Sequence, residues 1–587
     1  MSTRQELSAN PRAWRVAWLA AAMVVCPSAS WAQTRLNNLV VQYHDVASPA
    51  QKSYRFEFSA PSWVFLRTFD GQPGAQLSLD RPDNVVIEYG HQASGTRETM
   101  RFLPAGPHAV TLHGGDVGRL QVRRVPEIRF CKYQYDPWVT EEGPYDWAFL
   151  ERYLLPHVNT IVGKSHQDQS DRAIPWRAHG GRWIIETYAP GLDRKDLPPE
   201  KRTLSAEEAF TGLTSAVKFD QPWIDGQVVD EYYQTLEYMF KPTTQAVARI
   251  HADTRFAGKR IDLYIAGKAK KFPQLLINTV QAGAKITFEA YHAEQPTEAE
   301  ARAYLQEEFV DRMAGYRRVV PDAPRQMVVA LGIFSAPPES LDVRPTANYH
   351  VFQDLEFQLL ANDPAFDGLF GVMTYTSGYA EAETLRWVGR LYRHYCIEGR
   401  TTRLSRDPYR LTHLKNPDFA EGTRGWEIQP AAAGSIETRQ ISGLGYRQGR
   451  YVRRTQIGDS CLVMTRSAAG PNVIRQPIKN LTPGRVYALR MFSTRLDQPA
   501  ATPQTASGLN IVVDKVALLP EKCYDHRYRS IHATEPEYFT YHVRRFRATQ
   551  TTAMLTISDG AVDGNCPHDR PCETAVNFIE LLPYEMP

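Results

Sequence analysis

The sequence predicts a multidomain protein with an N-terminal β-sandwich, a central (β/α)8 TIM barrel and a C-terminal β-sandwich. The 587 residues are too many for a single hydrophobic core. Strand-like and helix-like stretches alternate between residues 126 and 405, whereas residues 33–125 and 412–587 contain mainly strand-like stretches. Eight strand–helix units in about 280 residues match a closed barrel in both number and size.

The first 32 residues have the pattern of a secretory signal peptide. Three arginines precede the apolar run 16–25, and Ser30-Trp-Ala32 has the form of a cleavage site. The run is short for a membrane span, and no second segment is long and apolar enough for one. A lipoprotein site at Cys26 is disfavoured because Val25 before it is not small. We therefore predict cleavage after Ala32 and a secreted or periplasmic protein without a membrane span.

Charge and cysteine content fit this location. Removing the three arginines and one glutamate of the signal lowers the formal charge from +3 to +1, which gives no electrostatic basis for nucleic-acid binding. Six cysteines then remain, an even number in an oxidising compartment. Cys566 and Cys572 are close enough in sequence for a local disulfide. Cys131 and Cys396 are predicted either to form a bridge or to stay buried free thiols.

The N-terminal region reads as a small antiparallel sandwich. Residues 54–59, 62–67 and 84–89 alternate between apolar and polar side chains, and a turn-rich segment at 70–74 separates two of them.

The central region carries the eight predicted barrel strands. An open, doubly wound sheet is the alternative, but no Gly-x-Gly-x-x-Gly motif opens any of its helices. The predicted helices are 206–217, 234–255, 297–317 and 381–395. The predicted strands are 128–134, 160–165, 182–187, 226–230, 261–266, 285–290, 326–333 and 369–374.

Acidic residues stand at the ends of three predicted strands. Glu186, Asp230 and Glu289 each follow an apolar run and precede a tyrosine by two residues. Since side chains alternate along a strand, these acids are expected to share one layer at the barrel mouth. Glu231 follows Asp230 and is expected to turn inward where the strand gives way to its loop. The tyrosines at the strand ends are Tyr188, Tyr232, Tyr291 and Tyr375.

Clustered carboxyl groups suit the hydrolysis of a glycosidic bond. One carboxylic acid protonates the leaving oxygen, while a second carboxylate attacks the anomeric carbon or activates water. We assign Glu231 as acid/base and Glu289 as nucleophile, with Asp230 as a further catalytic candidate. The predicted substrate-binding residues are Glu186, Tyr188, His166, Tyr232, Tyr291 and Tyr375. The structural alternatives are an N-cap at the following helix for Asp230 and Glu231, and an ion pair with Lys132 or Lys268 for Glu289.

The C-terminal region contains a recognisable motif. Asn416, Phe419, Glu421-Gly422 and Trp426 resemble the opening of carbohydrate-binding modules of the xylan- and glucan-binding type. The resemblance implies a jelly-roll β-sandwich of the galactose-binding-like kind, with Phe419 and Trp426 in its core.

The combined architecture resembles secreted, polysaccharide-degrading glycoside hydrolases. In one large group of these the two carboxylates follow strands four and seven, but here strand seven ends without an acid; others pair strand four with strand six, as this sequence permits. A non-catalytic carbohydrate-binding or cell-surface protein is the alternative function. A metal-dependent lyase or deacetylase is a third, although no histidine cluster supports it. We expect a poly- or oligosaccharide partner and no cofactor or metal.

Overall fold

Eight parallel strands, β1–β8, close into a barrel in the middle of the chain. Each strand pairs with the next along the sequence, and β8 pairs with β1. The computed structural model describes residues 33–586 except 91–94, 136, 140–144, 453–454, 497–507 and 561–571. The predicted barrel is confirmed, and an open sheet is excluded by the pairing of β8 with β1. The strands are β1 Glu127–Tyr133, β2 Thr160–Lys164, β3 Arg182–Tyr188, β4 Gly226–Tyr232, β5 Arg260–Ile265, β6 Lys285–Ala290, β7 Met327–Gly332 and β8 Gly371–Tyr375.

Helices connect these strands. Ser205 and Glu208 form a reciprocal capping box at the start of Ala206–Leu213, which satisfies backbone N–H groups of its first turn. The predicted helix at 297–317 contains two α-helices joined by the π-helical segment Gln306–Val310. The α-helices of this region are Trp147–Tyr153, Ser170–Ala178, Ala206–Leu213, Phe240–Ala252, Pro273–Gln281, Glu298–Leu305, Asp311–Val319, Tyr349–Asn362 and Ala382–Leu391.

The barrel interior is arranged in layers. A fully buried ion cluster closes its N-terminal end, where Glu127 pairs with Arg129 at 2.6 Å and with Arg260 at 2.7 Å. An apolar layer follows, and the acids of β3, β4 and β6 lie beyond it, at the C-terminal end. The apolar layer consists of Cys131, Val162, Ile184, Val228, Tyr264, Val328, Ala330 and Met373.

Two antiparallel sheets precede the barrel and share one hydrophobic core. Arg123 donates to Glu398 at 2.9 Å, and Arg393 donates to Glu98 at 2.6 Å, so ion pairs join these sheets to the end of the last barrel helix. The first sheet contains, in spatial order, Thr34–Arg35, Val41–Ala47, Arg119–Val125, Ser62–Phe69 and Thr96–Leu103. The second contains Ser53–Phe58, Gly106–His113, Gln76–Leu79 and Val85–Glu88.

Two further antiparallel sheets follow the barrel; we call residues 412–587 the module. Phe419 and Trp426 pack against each other in the core between its sheets, with ring centroids 5.3 Å apart. One sheet contains Glu427–Gln429, Val473–Ile478, Ala553–Asp559 and Leu509–Asp514. The other contains Ile436–Gln440, Ser460–Thr465, Glu573–Pro583, Val486–Arg495, Tyr538–Ala548 and Val516–Leu518, with Tyr524–Arg529 paired to Tyr538–Ala548.

Cys131 and Cys396 are buried free thiols, so a bridge between them is ruled out. Cys566 lies outside the described residues, and its pairing with Cys572 stays a prediction. The signal peptide also lies outside them, and the predicted domain boundaries remain predictions. Over the described ranges, no helix has the length and apolar character to cross a membrane.

Candidate active site

The end of β4 departs from regular strand geometry. Asp230 and Glu231 together lie opposite the single residue Tyr264 of β5, which is the pattern of a β-bulge. Glu231 has a φ of 77°, a left-handed conformation that is uncommon for residues other than glycine. In a regular strand these two side chains would face opposite sides of the barrel wall. The bulge instead turns both carboxyl groups toward the barrel mouth.

Asp230 is the most strongly perturbed acid of this cluster. Burial and the charges of Glu186, Glu231 and Glu289 raise its pKa well above the ordinary value. Its side chain accepts a hydrogen bond from the Glu231 backbone N–H at 2.8 Å, which opposes this shift without cancelling it. Asp230 therefore keeps its proton to a higher pH than an ordinary aspartic acid does.

Glu289 extends from β6 toward the same cluster. Burial and the charge of Glu231 raise its pKa to about 7, although Arg312 acts in the opposite direction. Lys268 pairs with Glu308 at 3.1 Å and Lys132 pairs with Glu186, so neither lysine neutralises Glu289 as the structural alternative required. Glu289 can thus gain or lose a proton near neutral pH, which general acid catalysis requires.

Glu186 and Lys132 form a buried ion pair at the ends of β3 and β1. Burial lowers the pKa of the Lys132 ammonium, but the Glu186 carboxylate outweighs this effect and raises it above the ordinary value. The ammonium also lies 4.9 Å from the centre of the Tyr135 ring. A fixed positive charge therefore lies beside the acids. In the sequence, Lys132 was identified only as a partner for Glu289.

Three tyrosines line the wall next to Glu289. Tyr264 and Tyr291 share a hydrogen bond between their hydroxyl groups at 2.6 Å, and Tyr291 stacks on Tyr375 with ring centroids 5.7 Å apart. Burial raises the pKa of both Tyr264 and Tyr291, and the charges of Glu289 and Asp230 add to the shift. The predictions for Tyr291 and Tyr375 thus fall on residues at the acids. Tyr264 was missed because it lies within β5 rather than after its end, although Asp262 precedes it by two residues.

The remaining predicted residues differ in position. Tyr188 is 57% exposed at the rim. Partial burial raises its pKa, and the charge of Lys132 acts in the opposite direction. His166 is exposed, and its Nδ1 atom lies 3.0 Å from the Ser165 hydroxyl. Among the described residues, it forms no hydrogen bond or ion pair with the acids.

Tyr232 was assigned wrongly as a substrate-binding residue. It is fully buried between the barrel wall and the helices, and its hydroxyl donates to Thr243 at 3.0 Å. The residue after a bulge resumes the outward side of the strand, which explains the error.

The N-cap alternative for the acids of β4 also fails. The segment that follows, Gln234–Met239, is a 3-10 helix whose N-cap is Tyr233, with no capping side-chain hydrogen bond. Within the described ranges, no group of three or more His, Cys, Asp or Glu residues is arranged to hold a metal ion.

A cavity of about 320 Å³ lies away from the acids, between the N-terminal sheets and the barrel, and is lined by residues such as Met100, Pro156 and Trp176. It contains no pair of carboxyl groups. The acids at the ends of β3, β4 and β6 therefore remain the candidate active site.

No family model and no curated protein matches this sequence. Among solved structures, the chain is similar to an α-L-arabinofuranosidase from Thermotoga maritima in complex with arabinose, at 9% identity and a TM-score of 0.30, over 74% of this chain and 96% of that chain. It is also similar to endo-glycoceramidase II from Rhodococcus sp., at 11% identity and a TM-score of 0.27, over 75% of this chain and 98% of that chain.

A third similar structure is the module TmCBM61 in complex with β-1,4-galactotriose, at 11% identity and a TM-score of 0.17, over 30% of this chain and 99% of that chain. Glycoside hydrolases and a carbohydrate-binding module are thus among the structural neighbours. At these identities and TM-scores the similarity gives no argument about activity.

Proposed function

We propose that the protein is a secreted glycoside hydrolase that cleaves a poly- or oligosaccharide at the C-terminal end of its barrel. One observation carries the proposal: Glu289, with a pKa of about 7, lies close enough to Asp230 and Glu231 for their charges to interact. Glycosidases need one carboxylic acid that is protonated near neutral pH beside a second carboxylate.

The pKa of Glu289 reverses the roles that the sequence suggested. A nucleophile must be ionised, whereas a group with a pKa of about 7 holds a proton at mildly acidic pH. Glu289 therefore donates the proton to the leaving glycosidic oxygen. Glu231 attacks the anomeric carbon or activates a water molecule, and Asp230 forms a hydrogen bond with the substrate. Lys132 holds Glu186 in place through their ion pair, as a fixed acceptor for sugar hydroxyls.

The test uses Glu289→Gln and Glu231→Gln on a glycan that the wild-type protein is found to cleave in a screen of plant and microbial polysaccharides. Each variant should lose roughly 10²–10⁴-fold in kcat. Glu289→Gln should be rescued on aryl glycosides whose leaving group needs no proton, whereas Glu231→Gln should not. Glu307→Gln, at an exposed position of the segment Gln306–Val310, is the control.

The pH profile gives a second measurement. Wild-type kcat/KM should fall as the pH rises above about 7, because Glu289 then loses the proton that it must donate. That limb should be absent from Glu289→Gln on activated substrates. Near-normal activity of both variants would overturn the assignment. Glycan binding without any turnover would favour the non-catalytic alternative.

Export is part of the proposal and rests on the signal pattern before Gln33. Protein expressed with its full N-terminus should be recovered outside the cytoplasm, with Gln33 as its first residue by mass spectrometry. An intact N-terminus on the exported protein would contradict it.

A further inference from the structure

The loop after β7 forms a hairpin at the barrel mouth. Its two short strands, Ser335–Ala336 and Glu339–Ser340, pair antiparallel. Phe334, just before the hairpin, packs against Tyr291 and Tyr379 at ring-centroid distances of 5.0 and 5.3 Å. Since Tyr291 belongs to the wall beside Glu289, the hairpin lies at the edge of the candidate site.

The module contacts this same hairpin. The Ser340 backbone N–H donates to the Gly449 carbonyl at 2.7 Å, and the Tyr451 N–H donates to the Ser340 carbonyl at 2.7 Å. Glu339 lies 3.5 Å from the His532 ring nitrogen, measured between Oε1 and Nε2. The charge of Glu339 also contributes to the raised pKa of Glu289, after burial and Glu231. Two loops of the module therefore contact the same hairpin, and this hairpin lies next to the acids.

Aromatic side chains lie on these two loops. Tyr446 stacks on His532 with ring centroids 4.2 Å apart and an interplanar angle of 21°, and Tyr451 is 44% exposed. We call Tyr446, Tyr451 and His532 the module platform. Aromatic rings with a polar edge suit the mixed apolar and hydroxyl faces of sugars.

Contacts within the module hold these loops in place. The Tyr528 hydroxyl donates to the Gln448 carbonyl at 2.8 Å, and Arg447 pairs with Glu537 at 2.7 Å. A platform fixed in this way loses little conformational freedom when it binds, which favours affinity.

We propose that the module platform is a saccharide subsite continuous with the barrel mouth, so that one glycan chain contacts both the acids and the module. This inference rests on the proposed function and adds a substrate class, a chain of several sugar units. A monosaccharide or disaccharide glycoside would fill the barrel mouth without reaching the platform.

The test compares long and short substrates. The full-length double variant Tyr446→Ala/Tyr451→Ala is run in native gels containing arabinoxylan, galactan, mixed-linkage β-glucan or polygalacturonate. Its affinity for the polysaccharide that retards the wild type should fall roughly five- to tenfold or more, since each aromatic contact contributes a few-fold. The KM on that polymer should rise, while turnover of a short aryl glycoside stays the same.

Two controls separate binding from folding. Tyr446→Phe keeps the ring and should keep the affinity. Leu518→Ala removes an exposed apolar side chain from Val516–Leu518, an edge strand of the module, and should leave the affinity unchanged. Equal retardation of the wild type and the double variant, with hydrolysis retained, would overturn this inference alone. If no polysaccharide retards the wild type and no glycoside is cleaved, both this inference and the proposed function fail.

Discussion

Glu289 shows how burial changes a single ionisable group. Its pKa is raised from 4.5 to about 7, so the folded protein takes up a proton that the unfolded chain releases over this range. The stabilisation from the neutral carboxyl is complete below pH 4.5 and is lost as the pH rises through 7. The side chain that the proposed chemistry needs thus reduces stability at alkaline pH.

Glu289→Gln should therefore stabilise the fold at high pH, because the amide never becomes charged. The free energy of unfolding at pH 8 should rise by roughly 2–3 kcal/mol relative to wild type, and the gain should vanish near pH 4. Urea unfolding at the two pH values measures both quantities. If the difference in the free energy of unfolding between the variant and the wild type does not change with pH, the raised pKa of Glu289 is contradicted.

At the scale of one element, the backbone conformation of the β4 bulge affects stability independently of the charges of its acids. Glu231 is held at a φ of 77°, which costs energy for any residue with a Cβ atom and most for β-branched ones. Strained backbone of this kind persists where the surrounding structure imposes it, and it is concentrated at functional sites. The strain is what brings Glu231 to the same side as Asp230.

Substitutions at this position should follow backbone preference. Glu231→Val should lower the free energy of unfolding by about 1–2 kcal/mol, whereas Glu231→Gly should leave it unchanged or raise it, although both remove the carboxylate. Glu427→Val, on the exposed regular strand Glu427–Gln429, is the matched control and should be nearly neutral. Equal destabilisation by Val and Gly would show that the lost charge, not the backbone, decides.

The helix Tyr349–Asn362 shows the limit of pattern reading at this scale. Nearly all of its residues are buried, including Gln353, Asp354 and Glu356, so it lacks the polar face that marks an amphipathic helix. Asp354 accepts hydrogen bonds from Tyr395 and from the backbone N–H groups of Leu404 and Ser405. Glu356 lies 2.8 Å from the His292 ring nitrogen. Asp354 and Glu356 are thus satisfied by tertiary contacts that sequence periodicity cannot reveal.

At the scale of the whole molecule, a buried ion cluster joins the barrel and the module. Arg490 of the module is almost fully buried and lies 2.5 Å from Glu381 and 3.1 Å from Glu383, both on the barrel side. Asp342 and Glu580 complete its surroundings at 3.5 and 3.4 Å. The shared cluster predicts that the module and barrel unfold together.

Arg490→Met should destabilise the full-length protein by about 3–5 kcal/mol, because it leaves buried acids without their cation. Differential scanning calorimetry should show one main transition for the wild type that shifts down as a whole in the variant. Arg424→Met, whose side chain is 81% exposed, should change the free energy of unfolding by less than about 0.5 kcal/mol. Two separate wild-type transitions, with only one shifted, would favour an independent module.

Pattern and period alone predicted the barrel and the place of its acids. The apolar runs of β1–β8 have the length of buried strands, and Glu186, Asp230 and Glu289 follow such runs, which places them at strand ends. The two-residue period of a strand then places these side chains on the same face of the sheet.

Only the tertiary structure decided what these acids can do. A pKa depends on burial and on charges brought from other strands, so the raised pKa of Glu289 and the ion pair of Lys132 with Glu186 have no local signal in the sequence. The left-handed backbone of Glu231 has none either. The contact between Glu339 and His532 joins residues almost two hundred positions apart, and folding alone brings them to the barrel mouth.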